Sequence, residues 1–427
     1  MKKVVFLFVA VLLILVLGFL SGILNFSKPT VEYKSVPFVG QSSNVVLLLK
    51  DEKPGLKDVK VYINQGNTSI KVYDVNLDGK KEESLTIKLE PKKYGILEGK
   101  GSIVVEVRDN SLLKNKTIFT KDITFDFTPP TVSILNYTSN MINGGTGFVF
   151  FQSNENIKNA QVYVGDVPFK CLNLNQKYVC PFSLPYYFDS PRPVTLVVSD
   201  YADNKSTHSL NINFKWINYA KSILDLDDNF IQTKVKPLSD KNIQDPVELF
   251  RYVNVQVRKR NEDLIHKKTS ECKNLYPMFE GDFIYLENSK KLGGFADYRK
   301  YRYNGQIIEG ADAYHKGFDF ASVKNADVKT SNNGEVVFAG FLGIYGNSVI
   351  IDHGLCIYTL YSHLSQINVK EGEKVKKGQL IGKTGATGLA VGDHLHYGVL
   401  VDGIEVNPIE WFDIKWLNTR FYDNYKK

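Results

Sequence analysis

The sequence predicts a mainly β chain: two N-terminal β-sandwich modules, a helical connector and a C-terminal antiparallel β domain, behind an N-terminal transmembrane helix. Three observations carry this. Between residues 30 and 215, short apolar runs alternate with Asp, Gly, Asn and Lys turns, as in sandwiches. Between 216 and 285 the apolar period becomes helical. From about 290 onward glycine is frequent and helix-period stretches almost vanish.

At 427 residues the chain has room for two to four domains. Its 43% hydrophobic and 23% charged content excludes a disordered chain. The net charge of +7 is spread through Lys-rich turns, with no nucleic-acid-binding motif beside it. It reads as a solvated surface, with mild attraction to anionic envelope polymers or membrane as the alternative. Met1, Lys2 and Lys3 precede an uncharged run over residues 4–24, about one bilayer core as a helix. No small-x-small cleavage site follows it, and no cysteine that would carry a lipid. Residues 1–28 are therefore expected to be an uncleaved membrane anchor rather than a removed signal. Lys2 and Lys3 then hold the N-terminus in the cytoplasm. The bulk of the chain is expected in the cell envelope, anchored in the inner membrane and periplasmic or otherwise extracytoplasmic.

The first module is expected over residues 30–129, with strands around 45–49, 59–63 and 102–107. Its Asp74-Val75-Asn76-Leu77-Asp78-Gly79 stretch opens like a calcium loop, but the twelfth position is Leu85, so it reads as a hairpin turn. Thr128-Pro129-Pro130 marks a boundary. The second module is expected over 130–215, because its close at residues 194–205 echoes residues 104–116. In composition the pair resembles immunoglobulin-like modules of bacterial surface proteins. Cys171 and Cys180 flank a turn, and in an exported chain this spacing favours a local disulfide. Cys272 and Cys356 read as isolated, and no CxxC pair offers a cysteine zinc site.

In the connector, residues 216–285, Asp245-Pro246-Val247-Glu248 is a helix start. Phe250, Val253, Val257 and Leu264 follow as its apolar face. Arg251, Arg258, Lys259, Arg260, Lys267 and Lys268 mark its outer face. The last domain is expected over 286–412, with strands at 334–339, 348–352, 356–362 and 395–401 and a tail over 413–427.

That domain holds five of the seven histidines: His315, His353, His363, His394 and His396. His394 and His396, two apart on a strand, share a face. Two imidazoles on one face form half of a metal-and-base site. His315 and Asp319 are four apart, about 13 Å in an ideal strand, and Gly317 between them supplies freedom to bend. Two imidazoles, a carboxylate and one open position make the ligand set of a catalytic zinc, and a further histidine can serve as base. The residues alone leave open which of His394 and His396 meets a metal.

Several motifs then occur in order: His315-x-Gly317-x-Asp319, Gly343-Ile344-Tyr345-Gly346-Asn347, Asp352-His353-Gly354, Tyr361-Ser362-His363, Gly372 to Gly382, Thr384-Gly385, His394-x-His396 and Asn407-Pro408. Together they resemble the M23 (lysostaphin/LytM-like) zinc metallopeptidase domain over about residues 290–412. The resemblance implies that His315, Asp319 and His396 bind Zn2+ and that His363 and His394 are the catalytic histidines. It implies a zinc metalloendopeptidase acting on peptidoglycan stem peptides or cross-links. Three positions depart from the family's usual pattern. Phe295-Ala296-Asp297-Tyr298-Arg299 replaces Phe-Gly-x-Arg, Val391-Gly392-Asp393 replaces Thr-Gly-Pro, and Gly398 replaces an acidic residue. These changes bear on substrate choice, since all five site positions are kept. His353 is expected to be an exposed turn residue, Asp352 a turn residue, and His208 and His266 surface residues. The Gly372 to Gly382 segment also resembles the turn region of lipoyl and biotinyl carriers, but no carrier-lysine hairpin accompanies it.

The expected partners are peptidoglycan, the membrane through residues 4–24, and envelope proteins through the β modules. No nucleic acid is expected. The alternative function is a non-catalytic LytM-like regulator that binds cell wall or activates an amidase.

Overall fold

The computed structural model describes residues 2–21, 23–175 and 177–425. The chain is mainly β and divides into two compact units. One is Met1–Thr131 with Asn154–Asn159 and Val198–Ser206; the other is Val132–Ser153 with Ala160–Val197 and Thr207–Lys427.

In the first unit, a three-stranded sheet runs in the order Thr30–Tyr33, Ser43–Lys50, Glu82–Leu89. A five-stranded sheet runs Phe38–Val39, Lys116–Phe125, Gly99–Asp109, Leu56–Gln65, Thr68–Lys80. Period-2 alternation puts Val45, Leu47 and Leu49 of the first sheet in one core with Val59, Val61, Ile63, Ile103, Val105 and Val107 of the second. At Asp78 and Gly79 φ is positive and the Asn76 side chain accepts from Asp78 N at 3.1 Å. The calcium-like stretch is not the expected hairpin turn: it lies within strand Thr68–Lys80, where the pairing with Leu56–Gln65 is bulged.

A helix covers Lys2–Leu20. It ends before the apolar run does, and among the described residues no helix is long and apolar enough to cross a membrane. The spanning anchor expected over residues 4–24 is therefore not supported. Gly22 and the side chains of Val4 and Leu20 in that run lie outside the described residues.

In the second unit, a sheet runs Leu172–Leu174, Lys177–Ser183, Thr146–Ser153, Val132–Tyr137, and the Cys171–Cys180 disulfide sits at its edge. Asp245 caps the helical stretch 246–269, its side chain accepting from Glu248 N at 2.8 Å. Phe250, Val253 and Val257 are buried as expected, but Leu264 is exposed and Ile265 is buried in its place. The cause is a π-helical stretch, Tyr252–Val257, inside the helix. Its wider turn advances the buried face by about one residue. The basic outer face is largely paired: Arg251 with Glu248, Lys259 with Asp263, Arg260 with Asp240, Lys268 with Glu371.

The largest sheet runs Lys290–Gly293, Phe318–Ala321, Leu395–Val401, Ile357–Leu364, Asn347–Asp352, Gly334–Phe341, Lys374–Val375, with Ile404–Val406 beside Leu395–Val401. Its central strands Ile357–Leu364 and Leu395–Val401 are buried along their whole length. Cys272, read as isolated, forms a disulfide with Cys356 across 84 residues. Trp411, Phe421, Phe148, Phe279 and Phe283 form one aromatic cluster, with Phe148–Phe421 at 5.3 Å and Phe283–Trp411 at 5.1 Å between ring centres. Burial raises the Glu410 carboxyl to about 7, although Thr146 N donates to it. A folded-state value above the usual 4.5 means its contribution to stability is full below pH 4.5 and is lost as pH rises through 7. Glu410→Gln should flatten the melting temperature across that window, measured by thermal denaturation against pH.

Candidate active site

The site forms where three segments of the large sheet meet. Asp319 and His396 are direct cross-strand partners on Phe318–Ala321 and Leu395–Val401. Ser362 pairs with His396 from the other side, which brings the following residue, His363, alongside. At His363 φ is +63° and the pairing of Ile357–Leu364 with its neighbour shifts there. The bulge re-aims a side chain that regular alternation would turn away. His315 lies just before Phe318–Ala321. Gly317 does bring His315 and Asp319 together, though not through a positive φ. A Cβ there would lie 2.4 Å from Tyr397 O and 3.0 Å from the His396 ring, so glycine is needed for close approach.

His315 Nε2 lies 2.9 Å from Asp319 Oδ1 and 2.9 Å from His396 Nδ1. His396 Nδ1 is 3.1 Å from Asp319 Oδ1. His394 Nε2 stands slightly back, 3.6 Å from the same oxygen. The rings of His363 and His394 are 4.8 Å apart. All five predicted site residues thus share one locus, and His315, His363 and His396 are buried.

Carbonyl partners fix the tautomers. His315 Nδ1 faces Gly294 O at 2.7 Å, His363 Nδ1 faces Thr387 O at 2.8 Å, and His394 Nδ1 faces Gly392 O at 2.8 Å. A carbonyl only accepts, so each Nδ1 carries the proton and each Nε2 presents a lone pair in the neutral ring. Burial, reinforced by His394 and His396, lowers His363 to about 3. Burial likewise lowers His396 to about 4. Burial alone would raise the Asp319 carboxyl, but His315 and His396 outweigh it and hold it well below the usual carboxylate range. His315 Nε2 and Asp319 Oδ1 therefore face each other as two acceptors at 2.9 Å, with His396 Nδ1 beside both. Two acceptors at that distance repel unless a proton or a cation lies between them. Two bonds of ~2.0 Å at a tetrahedral angle set donors about 3.3 Å apart, so the donor set fits zinc in kind and spacing.

Residues 313–408 match the description Peptidase family M23. They form a family M23 peptidase domain. Peptidoglycan DD-endopeptidase ShyA of Vibrio cholerae serotype O1 is 46% identical over 98 residues, 23% of each chain. DD-carboxypeptidase/endopeptidase Mpg of Neisseria meningitidis serogroup B is 42% identical over 95 residues, 22% of each chain. The chain thus spans less than a quarter of the length of these curated relatives. Among solved structures, the catalytic domain of the antimicrobial peptidase lysostaphin from Staphylococcus simulans is 31% identical. The match covers 98% of that chain and 31% of this one, at a TM-score of 0.26.

Two of the departures can be placed in the structure. Ala296, where the family usually has glycine, has a φ of +57°, an angle that favours glycine. Asp393 accepts from Thr384 Oγ1 at 2.5 Å and from Asn325 N at 3.2 Å, which ties the loop carrying His394 to two neighbours.

Other expectations are corrected. His353 is not exposed. It is fully buried, with Nδ1 at 2.7 Å from Asn333 O and Nε2 at 2.7 Å from Thr359 Oγ1, and its ring packs on Phe283. Asp352 is buried and accepts from Gly354 N and Asn274 Nδ2. His266 and His208 are partly exposed, in keeping with the expected surface positions; His266 also pairs with buried Glu405 at 3.1 Å. Arg299, noted in the sequence only as part of the approach segment, has a site role that motif reading did not assign: its Nη2 donates to Asp319 Oδ2 at 3.2 Å.

Proposed function

We propose that the chain is a zinc-dependent endopeptidase hydrolysing peptide bonds in peptidoglycan stem peptides or cross-links, in cell-wall remodelling outside the cytoplasm. The observation that carries this is the convergence of His315 Nε2, Asp319 Oδ1 and His396 Nδ1 within 2.9–3.1 Å of one another, with two further histidines beside them. The peptidoglycan endopeptidase named among the relatives supports the substrate class. The two disulfides support an oxidising, extracytoplasmic location. The same proposal takes residues 30–129 and 130–215 as spacer or partner-binding β modules, 216–285 as connector and 286–412 as the peptidase domain.

His315, Asp319 and His396 would hold the metal. A zinc ion bound there supplies Lewis acidity toward a peptide carbonyl and acidifies water. His363 is neutral at working pH, and its Nδ1–H is committed to Thr387 O. Its Nε2 is thereby a ready proton acceptor. His394 presents Nε2 beside it from the more exposed wall and can return a proton to the departing amine.

The test is mass spectrometry of muropeptides from purified sacculi incubated with the full chain. Cross-linked dimers should fall and monomers rise. Chelator or His363→Ala should stop both changes. A zinc-loaded, normally folded chain that leaves cross-links intact would sink the reading. A regulator that activates an amidase predicts instead that His363→Ala leaves wall turnover untouched.

A further inference from the structure

The Asp319 carboxylate has two oxygens in different company. Oδ1 faces His315 and His396, whereas Oδ2 is taken by the Arg299 guanidinium at 3.2 Å. Arg299 is itself largely buried and bridges to a second carboxylate, with Nε 3.1 Å from Asp297 Oδ2. Asp297 Oδ1 in turn accepts from Ser222 Oγ at 2.9 Å. Ser222 lies on strand Lys221–Leu226, which pairs in parallel with Tyr298–Tyr303, and Ser222 and Arg299 are register partners. Space for this chain of contacts depends on Gly293. A Cβ there would sit 2.4 Å from Asp319 Oδ2 and 2.9 Å from Arg299 Nη2.

We propose that Arg299 is a positioning residue that pins one oxygen of Asp319 so that a single oxygen meets the metal, and that Lys221–Leu226, outside the M23 match, is the arm that holds Arg299. The inference rests on the zinc reading above. The rigid, planar guanidinium gives one donor to each carboxylate, Nη2 to Asp319 and Nε to Asp297, so the position of one carboxylate is tied to the other. With Oδ2 held, Asp319 cannot turn both oxygens toward one ion. The second carboxylate, Asp297, keeps the guanidinium from swinging out, and the Ser222 hydroxyl fixes Asp297. Three residues lying 14 or more positions before residue 313 thus set how a ligand inside the domain is presented.

The test uses the full chain with Arg299→Lys and Ser222→Ala. Zinc affinity is read by chelator competition, the zinc coordination shell by X-ray absorption, and folding by thermal melting. Arg299→Lys keeps the charge and loses the fork. It should weaken zinc binding by about 10–100-fold and add a second carboxylate oxygen to the shell. Ser222→Ala should weaken binding roughly fivefold. Arg299→Lys with the parent's affinity and shell would overturn the inference while leaving the zinc reading intact. A parent chain that binds no zinc would remove both. Should Arg299→Lys fail to fold, Ser222→Ala decides alone, and unaltered affinity there overturns the proposal.

Discussion

His396→Ala should leave the chain unable to retain zinc through dialysis, whereas His394→Ala should keep the metal and lose at least about 100-fold in kcat. The two histidines are two residues apart and differ in what surrounds them. His396 sits inside the strand, buried, with Nδ1 facing both Asp319 and His315. His394 precedes the strand, is held by Gly385 O through its backbone N–H at 3.0 Å, and keeps Nε2 0.5 Å farther from Asp319 Oδ1 than His396 Nδ1 (3.6 against 3.1 Å). Metal content by atomic emission, beside turnover on cross-linked muropeptides, separates the roles. Loss of zinc in both variants would refute the asymmetry.

Breaking the Cys272–Cys356 bridge by replacing both cysteines with serine should destabilise the second unit by about 4 kcal/mol. The bridge closes a span of 84 residues, and releasing so long a loop restores much entropy to the unfolded chain. Both cysteines are buried, and Cys272 N donates to the buried Tyr358 hydroxyl at 3.0 Å. The Cys272 sulfur lies 3.5 Å from Asp402 Oδ1, so a serine hydroxyl there keeps a polar partner and the loss is chiefly that of the cross-link. The melting temperature should fall on the order of 10 °C, and a thiol reductant should reproduce the shift in the parent. The Cys171–Cys180 bridge, spanning nine residues, closes a far shorter loop, and its removal should matter less.

The pairs His315/Asp319 and His394/His396 were legible in the sequence because each is local; that they meet each other and His363 was given only by the family resemblance, since the segments lie tens of residues apart. Asp319 follows His315 within one turn of backbone, and His396 follows His394 by one residue. What escaped reading depends on contacts between distant segments. His353 sits in an Asp-His-Gly stretch that suggests an exposed turn, yet Asn333, Thr359 and Phe283 enclose it. Leu264 fits the helical period, yet a π-helical stretch hands its place to Ile265. Cys272 has no cysteine near it in sequence, and its partner arrives through the pairing of the large sheet. Arg299 stands in the approach segment that departs from the family's usual Phe-Gly-x-Arg, but that motif says nothing of what its side chain holds. Its role emerges only when Lys221–Leu226 is seen beside it.

The aromatic cluster also bears on how the molecule is made. Phe148 meets Phe421 and Trp411, residues synthesised more than 260 positions later. Strand Thr146–Ser153 therefore waits, with Phe148 uncovered, until almost all of the chain has emerged. Contacts of such long sequence separation are slow to form. The second unit cannot complete its interior domain by domain as translation proceeds. During that interval Phe148, Phe279 and Phe283 are an aggregation hazard, and a chaperone that shields aromatic segments would raise the yield of folded protein.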